Sequence, residues 1–377
     1  MLKSASTHTR LTTMLGVVLV AAVAAVFYTM AGTSVRENAL KNDFLGFYAA
    51  GVQVREGDSA RLHDHKVQLE YQLRYRSDAK DVVPFPRPRF YAEVFRPLAG
   101  MDIETALLVW QGIQVLAMAG VWVLLVVRFK AEILQLTAFF YPLPIGIAHG
   151  QDTGFMALFA SLSLFLWQAS MPGWAGAALA FCLFKWHLVA LLPVAMLLGR
   201  QWRMFLGFCG AAIPILLLDF ALDGVAGWQK YLLLLSRRDL DRMTPGLTFM
   251  PNVQGLFANL ALPQLWWIGA VIVVGCFAIC VVRLPWPKAM LAAQLSALLL
   301  VPHVFQYDLA YIIFPLTALL RGNVGGLVKW GGMLLLIPPT YFCTLFGPPW
   351  AGLLALVELV LLAALAWDGY GTDRVRA

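Results

Sequence analysis

Long apolar runs separated by short polar breaks dominate this chain. Met14–Gly32, Leu107–Val127, Met204–Leu222 and Trp266–Val282 are each nearly free of charge. Each approaches the roughly 20 residues a helix needs to cross about 30 Å of hydrocarbon. Backbone polar groups cannot be left unpaired in lipid, so such runs must be helical. The pattern predicts an all-α polytopic membrane protein, one integral unit over residues 1–377. Its apolar length fits roughly ten to twelve transmembrane or re-entrant helices. Two longer polar stretches, at about 33–103 and 221–264, read as loops. No internal repeat stands out.

One stretch resists a simple span. Between Gln168 and Arg200 the apolar run is interrupted midway by Lys185-Trp186-His187. Two half-helices meeting there would form a re-entrant hairpin, each about 18 Å long at 1.5 Å per residue. Two short tilted spans are the alternative. Either arrangement puts Lys185 and His187 at membrane depth. An ionisable group there costs roughly 2.5–3.5 kcal/mol and marks function by default. A lysine without a partner would be a liability that Lys185→Met relieves. A lysine paired with an acid would strand that acid when removed.

Composition sharpens the picture. Hydrophobic residues make up 60% of the chain and charged residues only 13%, against about 25% charged in soluble proteins, so a water-soluble surface is excluded. The net charge of +7 suggests membrane anchoring rather than nucleic acid, because the basic residues flank the apolar runs. Lys3/Arg10, Arg128/Lys130, Arg200/Arg203, Arg283/Lys288, Arg321/Lys329 and Arg374/Arg376 mark one side. Assigning that side to the cytoplasm makes both termini cytoplasmic. The run after Lys3 and Arg10 is too long for a signal-peptide core of about 7–15 residues, so an uncleaved first anchor is expected. The five cysteines lie in apolar stretches and read as small buried hydrophobes.

Polar chemistry collects on the other, extracytoplasmic side. Asp43 opens a segment with Phe44, Phe47, Tyr48 and Val52 at helical spacing, which predicts an amphipathic helix at the membrane surface. Asp43 is either its N-cap or a carboxylate placed as a general base. His149-Gly150-Gln151-Asp152 and Pro302-His303-Val304-Phe305-Gln306-Tyr307-Asp308 are polar turns at the outer ends of helices. Arg237-Arg238-Asp239-Leu240-Asp241-Arg242 contains an Asp-x-Asp, but the flanking arginines compete for its carboxylates. A phosphate-binding role for Arg237 or Arg238 fits better than a metal site, and no metal or cofactor is expected.

Together the stretches Asp43-Phe-Leu-Gly-Phe-Tyr-Ala-Ala-Gly51, His149–Asp152, Phe184-Lys-Trp-His-Leu188, Met250-Pro-Asn-Val-Gln-Gly255 and Pro302–Asp308 resemble glycosyltransferase family 87, of the GT-C class of membrane transferases. The resemblance implies transfer of a hexose, mannose foremost, from a polyprenyl-phosphate donor to a lipid or glycan acceptor. The reaction would take place on the outer face of the plasma (inner) membrane, in the cell envelope. Asp43 matches the family's activating aspartate. A single displacement with inversion needs one base, plus cations or hydrogen bonds for the departing phosphate. Lys185, Arg238 and His303 are the candidates for the phosphate, and Gln151, His187 and Asp308 for the substrate. The segment Phe85-Pro-Arg-Pro-Arg-Phe90 departs from the family's aromatic-Pro-Pro pattern, which bears on the identity of sugar and acceptor. A transporter or flippase, or a non-catalytic lipid-binding protein, is the competing class. Transporters usually show repeat symmetry and midplane sites.

Overall fold

The structure, a computed structural model, describes residues 35–236 and 246–374. The Met14–Gly32 run and Arg238 lie outside the described residues. Every regular element among the described residues is helical. The principal helices are α1 (Phe44–Arg55), α2 (Ile103–Phe129), α3 (Thr153–Gln168), α4 (Pro172–Ala180), α5 (Leu191–Leu198), α6 (Trp202–Ser236), α7 (Trp266–Arg283), α8 (Trp286–Leu300), α9 (Ile313–Leu320), α10 (Gly326–Leu336) and α11 (Leu353–Arg374). Among the described residues, four segments are long and apolar enough to cross a bilayer unaided: Ile103–Phe129, Trp202–Leu235, Pro263–Arg283 and Trp350–Tyr370. Shorter apolar helices and one sharply bent pair accompany them. The protein is thus an all-α integral membrane protein.

At the centre stands α8, buried continuously from Ala289 to Leu299. A helix buried on every side belongs in a core. Here Gln294 and Ser296 are bonded to the Tyr311 and Ala292 carbonyls, and α5, α7, α9 and α11 surround the helix. The outer helices show the opposite pattern. Leu116, Val123 and Val127 on α2, Leu206, Ile213 and Leu217 on α6, and Val271, Val274 and Val282 on α7 are all exposed. A continuous apolar exterior of this kind is untenable in water and suits lipid.

Three sequence-based expectations change in detail. First, α1 does not lie amphipathically on a surface. It is buried from Phe44 to Val54, because its small face is packed as tightly as its aromatic one: Gly46 sits against the Val83 and Pro84 carbonyls, and Gly51 against the Phe95 backbone. Second, the stretch expected to open a loop at residue 221 continues as α6 to Ser236, broken at Gly224 (φ 65°). The apolar Tyr231–Leu235 run carries the helix onward. Third, the 168–200 region is broken as expected, as a broken span or a re-entrant loop, but its sharp bend falls just after Lys185-Trp186-His187 and not at it. Pro172–Val189 and Leu191–Leu198 meet at 106°. Lys185 itself leaves helical geometry (φ −116°, ψ 54°), and the apolar turn on each side of it holds the break in the protein interior.

The first arm of this bent element is locked against α6 by glycines. Gly176 faces the Met204 carbonyl and the Phe208 amide, and Gly207 faces the Gly173 carbonyl. A Cβ at either position collides with backbone, which cannot swing aside as a side chain can. Small residues that permit such approach are the usual glue between membrane helices. Gly207→Val is therefore expected to lower the stability of the purified protein by about 1–3 kcal/mol, the usual cost of overpacking, seen as a reduced melting temperature. An unchanged midpoint would contradict the close α4–α6 contact.

Candidate functional site

The site is assembled at helix ends. On α2, Trp110, Gln111 and Gln114 form a polar stripe that grips the turn before α3. Trp110 Nε1 donates to the Gly150 carbonyl (2.9 Å), Gln111 Nε2 donates to the Ile147 carbonyl (3.2 Å), and Gln114 Oε1 accepts from the Gly154 amide (2.9 Å). Gly150 takes φ 69°, and a Cβ there would strike the Phe44 side chain. That one glycine lets the start of α1 come up against Gln151.

Four charged groups are buried beside this turn: Asp152 (0% exposed), Lys185 (2%), Arg87 (5%) and Asp308 (6%). Lys185 Nζ lies 2.7 Å from Asp152 Oδ1 and 2.8 Å from Asp308 Oδ1. Arg87 Nε donates to Asp152 Oδ2 at 2.9 Å. The second Asp308 oxygen accepts from the Phe305 amide at 2.9 Å. Two cations thus face two carboxylates, and the quartet is internally neutral. Burial alone would raise the Asp152 carboxyl, but the Arg87 guanidinium and the Lys185 ammonium hold it down, at about 2. His63 supports Arg87 from behind, its Nε2 3.0 Å from the Arg87 carbonyl. Burial pushes this imidazole down to about 4, so it is neutral at pH 7. Its 3.7 Å approach to Asp223 is then not an ion pair.

Gln151 links this quartet to Asp43. Its Oε1 accepts from Arg87 Nη2 (3.3 Å) and Lys185 Nζ (3.4 Å). Its Nε2 donates to Asp43 Oδ2 (2.7 Å) and to the Tyr307 hydroxyl (3.2 Å). Only this orientation of the amide satisfies cations at one end and a carboxylate at the other. Tyr307 in turn donates to Asp43 Oδ2 at 3.4 Å. Asp43 therefore rests on neutral donors, and among the described residues it pairs with no cation and its Oδ1 accepts no hydrogen bond. Its side chain makes no helix cap, so the capping explanation for this residue falls away.

Asp43 opens onto a cavity of 590 Å³. Gln151, Lys185, His187, His303 and Asp308 line the same cavity, so every sequence-derived candidate except Arg238, which lies outside the described residues, converges here. His187 contacts the Trp186 ring at 6.3 Å and His303 the Phe305 ring at 5.1 Å. The sequence did not single out Arg87 or Tyr307. Arg87 belongs to a long loop with several other arginines, where position gives no clue to burial. Its one signal is its setting between Pro86 and Pro88, a rigid segment suited to a fixed side chain. Lys185 is paired, which removes the expectation that Lys185→Met relieves an isolated charge.

Lys185→Met is accordingly expected to destabilise the protein by about 3–5 kcal/mol, since it strands the buried Asp308 carboxylate and leaves Asp152 with Arg87 alone. Asp308→Asn in the same chain should recover part of that loss. Thermal unfolding of the three proteins checks this, and an unshifted single variant would refute the pairing. The pH dependence follows from Asp152. Its folded-state pKa is depressed, so its contribution is present above the unfolded value of about 3.9. That contribution is lost as pH falls towards the folded value of about 2.

The model of glycosyltransferase family 87 matches residues 85–305 of the chain, a stretch that contains Arg87, Gln151, Asp152, Lys185 and His303. No curated protein and no solved structure matches it.

Proposed function

The chain belongs to glycosyltransferase family 87 and is a membrane glycosyltransferase, and from that premise we propose that Asp43 is its general base in a single displacement. The donor is a polyprenyl-phosphate hexose, with mannose the first sugar to test, and the acceptor a hydroxyl of a glycolipid or glycan. Asp43 takes the proton of that hydroxyl, whose oxygen attacks the anomeric carbon. The bond from that carbon to the phosphate oxygen breaks, and polyprenyl phosphate leaves with the electron pair. The sugar is inverted.

The observation that carries this reading is the contrast among the three carboxylates. Asp152 and Asp308 are held by cations, whereas Asp43 has only Gln151 and Tyr307. Asp43 thus keeps an oxygen open to take the acceptor's proton, while Asp152 and Asp308 are committed to their cations. Lys185, His303 and Arg238 remain the proposed phosphate ligands, with Gln151, His187 and Asp308 on the substrate. Lys185 already gives its protons to protein acceptors, so it acts best through its field. A fixed cation near the cavity wall stabilises charge as it develops on the leaving phosphate. A lipid phosphate is a good leaving group, so this chemistry calls for neither a general acid nor a metal.

Asp43→Asn keeps the size of the side chain and an oxygen for Gln151. Transfer should fall by about 10²–10⁴-fold, the usual contribution of a general base, with the melting temperature preserved. Purified protein given radiolabelled polyprenyl-phosphate hexoses and a total lipid extract supplies the assay. Near-normal turnover would remove Asp43 from the chemistry.

We further propose that the cavity opens on the extracytoplasmic face and that both termini are cytoplasmic, in the plasma (inner) membrane. The short basic connections support this orientation. Ser77→Cys, in an exposed part of the first long loop, should then react with an impermeant thiol reagent in intact cells, and Arg203→Cys only after permeabilisation. The opposite result would invert the topology.

A further inference from the structure

The elements that carry the site converge a second time at their far ends. From Trp110, which holds the Gly150 carbonyl, α2 runs to Phe129. From Asp152, α3 runs to Gln168. The helical segment beginning at Gln306 passes Asp308 and ends at Leu320. At 1.5 Å per residue these distances are roughly 20–30 Å, comparable with the hydrocarbon thickness. At that opposite face Arg128, Lys130 and Arg321 surround a cavity of 380 Å³, together with Phe129, Gln168 and Gly322. Phe314 closes α2 and α3 together just beneath it, its ring 5.4 Å from Phe129 and 6.4 Å from Phe165.

The charge here is one-sided. Among the described residues, no carboxylate lines the cavity. Among the described residues, none of the three cations is in an ion pair. Arg128 Nε donates to Gln168 Oε1, and its guanidinium lies 5.4 Å from the Phe129 ring centroid. Both contacts restrict the guanidinium, and among the described residues its two terminal nitrogens have no protein acceptor. Lys130 ends α2 at φ 70° with its amide still bonded to the Val126 carbonyl. A glycine would make that stop without strain, so a lysine there is a backbone compromise with a charged side chain to show for it. Basic residues near one face follow from membrane orientation alone. Their gathering around a single concavity with a partly apolar wall does not.

We propose that this cavity binds the phosphate of an anionic phospholipid headgroup in the leaflet opposite the candidate active site. The guanidinium groups and the ammonium supply charge-assisted hydrogen bonds to the phosphate oxygens, and Phe129, Pro287 and Ala318 offer the apolar side that the adjoining glycerol and acyl carbons require. Attraction between a basic pocket at a membrane face and anionic lipid has a ready electrostatic basis.

The test uses the purified full chain in phosphatidylcholine bicelles with a rising fraction of phosphatidylglycerol, at constant ionic strength. A ligand that binds only the native state raises the melting temperature with its concentration. The wild type should be stabilised by phosphatidylglycerol. The Lys130→Gln/Arg321→Gln protein should need at least tenfold more for the same shift, and Lys130→Gln alone should move in the same direction. The control is Arg200→Gln/Arg203→Gln, which removes equal charge from the same end of the molecule, where Trp167 donates to Gln201, but outside the cavity. It should respond as wild type does. An equal weakening in the control would reduce the effect to general surface attraction and overturn the site. An equal shift by inorganic phosphate in pure phosphatidylcholine would overturn the lipid assignment. An equal response of wild type and the cavity variants would overturn both.

Discussion

Charge neutrality inside the Arg87–Asp152–Lys185–Asp308 quartet is the constraint on which the rest of the site depends. Each of these groups is buried, and any one alone would be prohibitively costly at that depth. Together they tie four distant parts of the chain: the Pro-flanked loop at Arg87, the turn at Asp152, the break at Lys185 and the turn at Asp308 opposite it. Buried ion pairs are seldom a net source of stability. Their consequence here is orientation. The quartet sets which end of the Gln151 amide faces the cations, and therefore which end faces Asp43.

From this follows a division of labour among like residues. Three aspartates lie within one polar cluster, yet only Asp43 is left with neutral partners. Asp152 and Asp308 hold the architecture, and Asp43 is proposed to do the chemistry. Environment alone separates their roles, as it does wherever titratable groups of one type are assigned opposite tasks. The same helices that present this cluster end, across the membrane thickness, at the basic cavity around Arg128, Lys130 and Arg321, so a ligand bound there would bear on the helices that frame the site.

Much of this was legible in the sequence, for physical reasons that can be named. Apolar runs must become helices in lipid, and a lysine amid such a run must find compensation. Lys185 therefore announced the interior of the site, although not its partners. The turns at Gln151 and Asp308 were visible as polar interruptions, but their convergence depends on the bend after Lys185, which composition does not encode. The spacing after Asp43 reads as amphipathic because its alanines and glycines count as neither face. In the fold they are the close-packing face. Arg87 was hidden because a long loop with many basic residues looks uniformly solvated, and only tertiary packing against Asp152 distinguishes it. Arg238 lies outside the described residues.

Of the three carboxylates, Asp43 has only neutral partners and the other two are held by cations. A double displacement would need a nucleophilic carboxylate beside the base, and neither Asp152 nor Asp308 can serve without leaving its cation. The stereochemistry of transfer therefore tests the central claim directly. Proton NMR of the glycolipid formed from a polyprenyl-phosphate hexose of known anomeric configuration would reveal it. The account predicts the opposite configuration at the anomeric carbon of the product. Retained configuration would contradict it, because a single displacement at the anomeric carbon can only invert it.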